Sequence, residues 1–258
     1  MKKQILIVGS GFSGMWAAVS AARLSALEGN NSLSIAVLAP VPELRVRPRF
    51  YEENVSTMVA PLTELFAELG IAFISGEAQR IDTSSKTVLY RDSNGAIAEV
   101  NWERLILATG SQTKRPPIAG LTEYAFDIDQ LDSARLFEQH LDSLVSRPST
   151  PERNTVVVCG GGFTGIELAT ELPARLRTRF GADTKTKVIV VERGATIGGR
   201  YSEALRNTIV EASNTLDVEW RLNSEIEAID ASGVTLKNGE RIASATVVWT
   251  AGRSEERR

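Results

Sequence analysis

Three glycines at Gly160, Gly162 and Gly165, with a carboxylate further on at Glu192, are the residues of this 258-residue chain best suited to holding an anion. Gly160 permits a tight turn, Gly162 lets backbone approach phosphate oxygens, and Gly165 lets a helix pack closely on a strand. Phe163 and Thr164 open that helix, so their N–H groups and the positive end of the helix dipole face the anion. Glu192 ends the next strand, where an acidic side chain accepts hydrogen bonds from an adenosine ribose. Gly9, Gly11 and Gly14 repeat the spacing, with Phe12 and Ser13 opening the helix. There the following strand ends at Ala39-Pro40, where the acidic ribose partner is expected, and Glu43 lies nearby but out of register. Each pattern is that of a pyrophosphate cradle, and two cradles imply two dinucleotides. The bland alternative is a pair of glycine-rich turns that bind nothing.

The elements around these residues suit the task. Asn154–Val158, Lys187–Val191, Gln4–Val8 and Ser34–Leu38 are short apolar runs that read as buried strands. Phe163–Arg179 and about Phe12–Leu27 have helical composition. Leu105–Leu107 is a further buried strand closing on Ala108-Thr109-Gly110, small residues that let backbone come close to a ligand. Ala245–Thr250 is a final strand ending on Ala251-Gly252. Val59–Leu69 looks helical, Ile71–Ile74 reads as a short strand, and residues 78–100 alternate around a hairpin at Ser93-Asn94-Gly95. Gln112–Gly120 has linker composition, residues 132–145 form an amphipathic helix, and Ser202 caps a helix over residues 202–212. A hairpin turns at Lys237–Glu240, and the charged stretch Arg253–Arg258 is expected to fray.

Other candidates are weaker. Arg47, in Val46-Arg47-Pro48-Arg49, could face pyrophosphate or substrate, or belong to a solvated basic turn. His140 reads as a solvated or edge histidine, and with one His and one Cys an ordinary zinc site has no support. Cys159 closes a buried strand and reads as a small core residue; alone, it forms no internal disulfide and fits a reducing compartment, hence a cytoplasmic location. A net charge of −3 leaves no electrostatic footprint for nucleic acid. No apolar run is long enough for a transmembrane helix, and the N-terminal apolar stretch breaks at Gly9, which reads as a strand rather than a signal peptide.

Taken together, these motifs resemble the pyridine nucleotide-disulfide oxidoreductase superfamily, the two-dinucleotide flavoproteins. Gly160–Leu172 and Val248–Gly252 are most similar to the type II NADH dehydrogenase branch, with apoptosis-inducing-factor-like flavoproteins as near neighbours. The resemblance implies an α/β fold of two Rossmann-like domains with β-meanders, the NAD domain inserted into the FAD domain. Residues 1–114 would be the first part of the FAD domain, 115–249 the NAD(P)H domain and 250–258 the return crossing. FAD would lie on Gly9–Gly14 and Ala108–Gly110, and NAD(P)H on Gly160–Glu167 with Glu192, while Ala251-Gly252 matches the crossing back. The glutamate matching Glu167 lies near nicotinamide and flavin in that branch, which implies a role in positioning the nicotinamide or relaying a proton. The cysteine pair of the disulfide reductases is absent, which excludes disulfide reduction through a protein dithiol. The family's Gly-Asp strand motif and C-terminal domain, which often serves dimerisation or membrane attachment, are also not in this sequence.

The implied activity is an FAD-dependent NAD(P)H oxidoreductase that passes a hydride from nicotinamide to flavin and then electrons to an acceptor such as a quinone. Glu192 favours NADH over NADPH, because a carboxylate repels a 2′-phosphate, while the adjacent Arg193 pulls the other way. The rival reading is a truncated or degenerate homologue that binds NAD(H), retains FAD poorly and turns over little. Purified protein that is yellow supports the enzyme; colourless protein that still binds NADH supports the rival.

Overall fold

The computed structural model describes residues 3–30, 32–252 and 254–256. The side chains of the charged tail expected to fray, residues 253–258, lie outside the described ones. The chain divides into two compact units, one of Met1–Val46 with Val59–Ser111, the other of Arg47–Met58 with Gln112–Glu256.

In the first unit the apolar run at the start forms β1 (Lys3–Val8), and α1 (Phe12–Leu27) carries the chain to β2 (Leu33–Ala39). β1 pairs in parallel with β2 on one side and with β8 (Arg104–Leu107) on the other. β5 (Ala72–Asp82) extends the sheet in parallel beyond β2. It then bends through a bulge at Ala78/Arg80 into an antiparallel meander with β6 (Thr87–Asp92) and β7 (Ile97–Asn101). The strand expected at Ile71–Ile74 is thus the start of a much longer one. Gly95, at a φ of +84°, makes the expected hairpin turn. Leu6, Ile7, Val37 and Leu38 are buried, with Ala18 of α1 and Phe66 covering one face.

Two expectations fail here. Residues 59–69 are not one helix: Val59–Pro61 is β4, paired antiparallel with β3 (Glu43–Arg45), and α2 spans only Thr63–Glu68. Pro61 disfavours helical backbone at Ala60, so the helix begins after it. β8 is the edge of the sheet, and Ile106 and Leu107 are exposed rather than buried. A central and an edge strand share the same apolar composition, and pairing alone tells them apart.

The second unit is built on an all-parallel sheet. Its strands are β10 (Ala125–Phe126), β11 (Thr155–Cys159), β12 (Lys187–Val191), β13 (Val218–Arg221) and β17 (Thr246–Trp249), in the order β10-β17-β11-β12-β13. Before β10 come β9 (Ser111–Thr113), paired with β18 (Ser254–Glu256), and the short helix α3 (Leu121–Tyr124). One face of the sheet packs a three-stranded antiparallel meander of β14 (Ile226–Asp230), β15 (Gly233–Leu236) and β16 (Arg241–Ala243). The helices are α4 (Leu131–Leu144), α5 (Phe163–Phe180) and α6 (Glu203–Thr215). α4 buries Leu131, Ala134, Phe137, Leu141 and Leu144, a helical stripe. Ser202 caps α6 as expected, its Oγ accepting from the Leu205 N–H at 3.5 Å.

Of the two readings of His140, the structure fits the edge histidine rather than the solvated one. It is half-buried, with Nε2 2.9 Å from Thr246 Oγ1 and its ring centroid 4.4 Å from that of Phe126. Burial lowers its pKa, which keeps the imidazole neutral. Among the described residues no helix is long and apolar enough to cross a membrane.

Leu172, wholly buried on α5, is expected to matter most through packing. Leu172→Ala should cost about 2–5 kcal/mol, read as a lower urea midpoint with an unchanged slope.

Candidate functional site

In the first unit β1 ends on Gly9, whose φ of +111° is closed to ordinary side chains. A Cβ at Gly9 would stand 2.2 Å from the Ala108 carbonyl oxygen, and one at Gly14 would stand 1.9 Å from the Gly9 oxygen. The helix start is therefore pressed on the strand end, with the Ala108-Thr109 backbone behind it. Gly110 follows at a φ of +69°. Gly11 differs in kind. Its backbone is extended at φ −65° and ψ −173°, and a Cβ there would meet nothing within 4 Å. Gly11 caps α1 with no side-chain hydrogen bond, and the first intrahelical bond runs from the Met15 N–H to the Gly11 carbonyl at 2.8 Å. The N–H groups of Phe12, Ser13 and Gly14 come before that bond and face out of the helix mouth. Ala39 is buried, and Glu43 is engaged by Arg45 at 3.3 Å.

The second unit repeats this geometry. Gly160 has a φ of +115°, and a Cβ on it would lie 2.8 Å from that of Ala251. A Cβ on Gly165 would lie 1.9 Å from the Gly160 oxygen and 2.8 Å from Thr250 Oγ1. Thr250 Oγ1 donates to the carbonyls of Cys159 and Gly160 at 3.1 and 3.0 Å. Gly162, at φ −75° and ψ −179°, again caps its helix without a side-chain bond and leaves open space where a Cβ would be.

Glu192 reaches back to this turn. Its Oε2 accepts the Gly161 N–H and its Oε1 the Gly194 N–H, both at 2.7 Å. The carboxylate is thus pinned between two backbone donors at the end of β12. A cavity of about 950 Å³ opens above, lined by Gly160, Gly162, Glu192, Ala251 and Gly252 among the expected residues. Lys114, Arg193 and Arg200 supply positive charge around it. These residues fit a dinucleotide: an uncapped helix mouth and cations for pyrophosphate, a fixed acceptor for a ribose, and open space at the capping glycine.

Of the residues expected in the second unit, Arg47, Phe163, Thr164, Gly165 and Glu167 do not line the cavity. Phe163 is exposed and packs its ring 4.4 Å from that of Tyr201, which does line the cavity. Arg47 pairs with Asp129. Glu167 is half-buried one turn into α5; burial first, and then the negative charge of Glu52, raise its pKa. Cys159 is buried, and burial pushes its thiol up to about 12, so it is inert at neutral pH. Sequence reasoning missed Gly161, Gly194 and Tyr201. For Gly161 a signal exists, since a third glycine beside Gly160 and Gly162 needs a reason. A Cβ there would lie 2.8 Å from the Trp220 ring and 3.1 Å from Glu192 Oε2.

A family profile described as pyridine nucleotide-disulphide oxidoreductase matches residues 3–258. The chain belongs to this family. Among curated relatives, an NADH dehydrogenase-like protein of Mycobacterium tuberculosis is 37% identical over 255 residues, covering 96% of this chain and 62% of its own length. A demethylphylloquinone reductase of Synechocystis is 29% identical, covering 97% of this chain and 62% of its own. The chain thus spans about 62% of the length of these family members. In fold it is similar to NDH2 of Plasmodium falciparum, solved in complex with NADH, at a TM-score of 0.84 and 16% identity, over 98% of this chain and 55% of the other.

The two kinds of glycine predict opposite outcomes for stability. Gly14→Ala and Gly165→Ala should each cost about 1–3 kcal/mol or more, because helix and strand must part. Gly11→Ala and Gly162→Ala should stay within about 1 kcal/mol of wild type, since backbone and space both accept a Cβ. Chemical denaturation of the four variants separates the classes.

Proposed function

We propose that this chain binds FAD at the Gly9–Gly14 turn and NADH at the Gly160–Gly165 turn, and serves an NADH oxidoreductase. When bound, the two cofactors would supply the redox chemistry, namely hydride transfer from nicotinamide to flavin and onward electron transfer to an acceptor such as a quinone. The protein's share is placement. The observation that carries this reading is the pair of open capping glycines, Gly11 and Gly162. Neither is demanded by backbone strain or crowding, so a ligand approaching closer than a Cβ permits is their reason. The names of relatives, among them type II NADH:quinone oxidoreductases of staphylococci, support NADH as donor and a quinone as acceptor.

Each residue's part follows from its surroundings. The N–H groups at the mouths of α1 and α5 hold the pyrophosphates. Glu192 accepts from the adenosine ribose, and because two backbone donors pin its carboxylate it cannot swing aside for a 2′-phosphate. Arg193 and Arg200 screen that repulsion in part, so NADPH is disfavoured rather than refused. Glu167 is the group placed to hold a proton: its raised pKa keeps the carboxyl protonated to higher pH than an ordinary glutamate.

Gly162→Ala should weaken NADH binding tenfold or more, about 1.4 kcal/mol, by fluorescence titration, with its melting unchanged. Wild type that binds neither NADH nor near-stoichiometric flavin ends this reading. A second reading, NAD(H) binding with weak flavin retention and little turnover, draws on the exposed Ile106 and Leu107 of β8 and would give colourless protein with intact NADH affinity. Glu167→Gln should lower turnover far more than NADH affinity. With Glu167 as proton donor, wild-type turnover should fall as pH rises past the carboxyl's raised pKa, and that limb should vanish in the variant.

A further inference from the structure

Residues 47–58 leave the first unit after Val46 and rejoin it at Val59, yet they pack with the second unit. Apart from short 3-10 turns at Arg47–Arg49 and Val55–Thr57 they have no regular structure. Phe50 and Val55 are nevertheless buried, and α4 packs on the second turn. Holding so irregular a segment in one conformation costs backbone entropy, which something must offset.

Charged side chains of α4 and α5 do so. Arg175, only 1% exposed, donates from Nη1 to the Tyr51 carbonyl at 2.7 Å. Glu53 and Glu138 flank its guanidinium at 3.9 and 3.8 Å, and the Phe137 ring lies 5.4 Å away. Arg179, one turn on, pairs with Glu53 and donates to Asp142 at 2.8 Å. Glu138 accepts the Val55 N–H at 3.4 Å, and Arg135 Nε donates to Ser56 Oγ at 3.0 Å. A buried cation is costly, and an apolar side chain would fill the volume without desolvation. Arg175 hydrogen-bonds only the Tyr51 carbonyl; its Nε and Nη2 have no hydrogen-bond partner and meet the two carboxylates through charge alone.

Glu167, Glu171, Arg175 and Arg179 recur every four residues along α5 and so line one side of it. The arginines hold residues 47–58 at one end of that side, and Glu167 lies at the other. We infer that residues 47–58 are a strap clamped by Arg175 and Arg179, and that the clamp holds Tyr51 and Glu52 beside Glu167 and so sets the charge environment of that carboxyl. Arg175 is then a positioning residue, acting on Glu167 through the strap. Glu52 is itself oriented by Arg49, which donates to it at 2.6 and 2.5 Å. The groups that interact by charge with Glu167 are Tyr51 and Glu52 on the strap and Tyr201 on the loop after β12, while Glu171, one turn on along α5, acts on Tyr51. Burial and the Glu52 charge both favour the protonated form of Glu167, so releasing the strap must lower its pKa. Consequences for turnover rest on the proposed role of Glu167, whereas titration of the carboxyl does not.

The test uses the full chain, with hydrogen exchange for the strap and ¹³C NMR for the Glu167 carboxyl, assigned by its loss in Glu167→Gln. In Arg175→Met the amides of Phe50, Glu52, Val55 and Thr57 should exchange about tenfold faster or more, while those of β11 and β12 hold. The Glu167 midpoint should fall, and Arg175→Lys should restore part of both effects. Unchanged strap exchange with an unchanged midpoint overturns the inference, as does faster strap exchange with an unmoved midpoint, which a purely structural arginine would give. If Arg175→Met unfolds the unit, seen as fast exchange in β11, Glu52→Gln decides. Its strap should stay protected while the Glu167 midpoint falls, and an unmoved midpoint overturns the claim.

Discussion

A helix that begins closer to a strand end than a Cβ would allow is the contact on which both units depend. Gly14 lies over the Gly9 carbonyl and Gly165 over the Gly160 carbonyl, each within 2 Å of where a side-chain carbon would sit. That approach fixes the angle at which α1 and α5 leave their sheets. It thereby fixes where their uncapped N–H groups and dipoles point. A larger residue at either position would tilt the helix and turn its mouth away from the strand ends. The remaining features of each site are arranged around this geometry.

From behind, each turn is braced by a strand that ends beside it. Ala108 and Thr109 follow β8 and pack against Gly9; Thr250 and Ala251 follow β17 and pack against Gly160. The Thr250 hydroxyl adds two hydrogen bonds to the carbonyls on either side of the bend. Glu192 braces the second turn from the front through the Gly161 N–H. In the first unit Ala39 occupies the corresponding strand end, and among the described residues no carboxylate is shown bonded to the Gly9–Gly14 turn as Glu192 is to Gly161. The two turns therefore share their backbone construction and differ in how a ribose would be met, which agrees with two different dinucleotides being proposed for them.

How much of this could be read from residue order alone follows from the range of each interaction. The glycine turns were legible because strand, turn and helix are contiguous and each glycine has a separate geometric task. Gly161 and Gly194 were not, because their reason is Glu192 and Trp220, which come close only once the sheet forms. The edge position of β8 escaped composition, since an edge strand packed on one face still reads Leu-Ile-Leu. The break between β4 and α2 was signalled by Pro61 but outweighed by helix-forming neighbours. Residues 47–58 carry no periodicity, so their attachment to α4 and α5 through Arg175 and Glu138 had no local signature. The same irregular stretch contains Arg47, whose ion pair with Asp129 lies far along the chain.

The decisive contact is the one proposed between the backbone at the mouth of α5 and a phosphate. Amide chemical shifts recorded while NADH is added address this atom by atom. The predicted result is that the N–H resonances of Gly162, Phe163 and Thr164 move furthest and saturate together with those of Gly161 and Gly194 around Glu192. Shifts that spare the 160–165 turn and gather elsewhere in the second unit would contradict it.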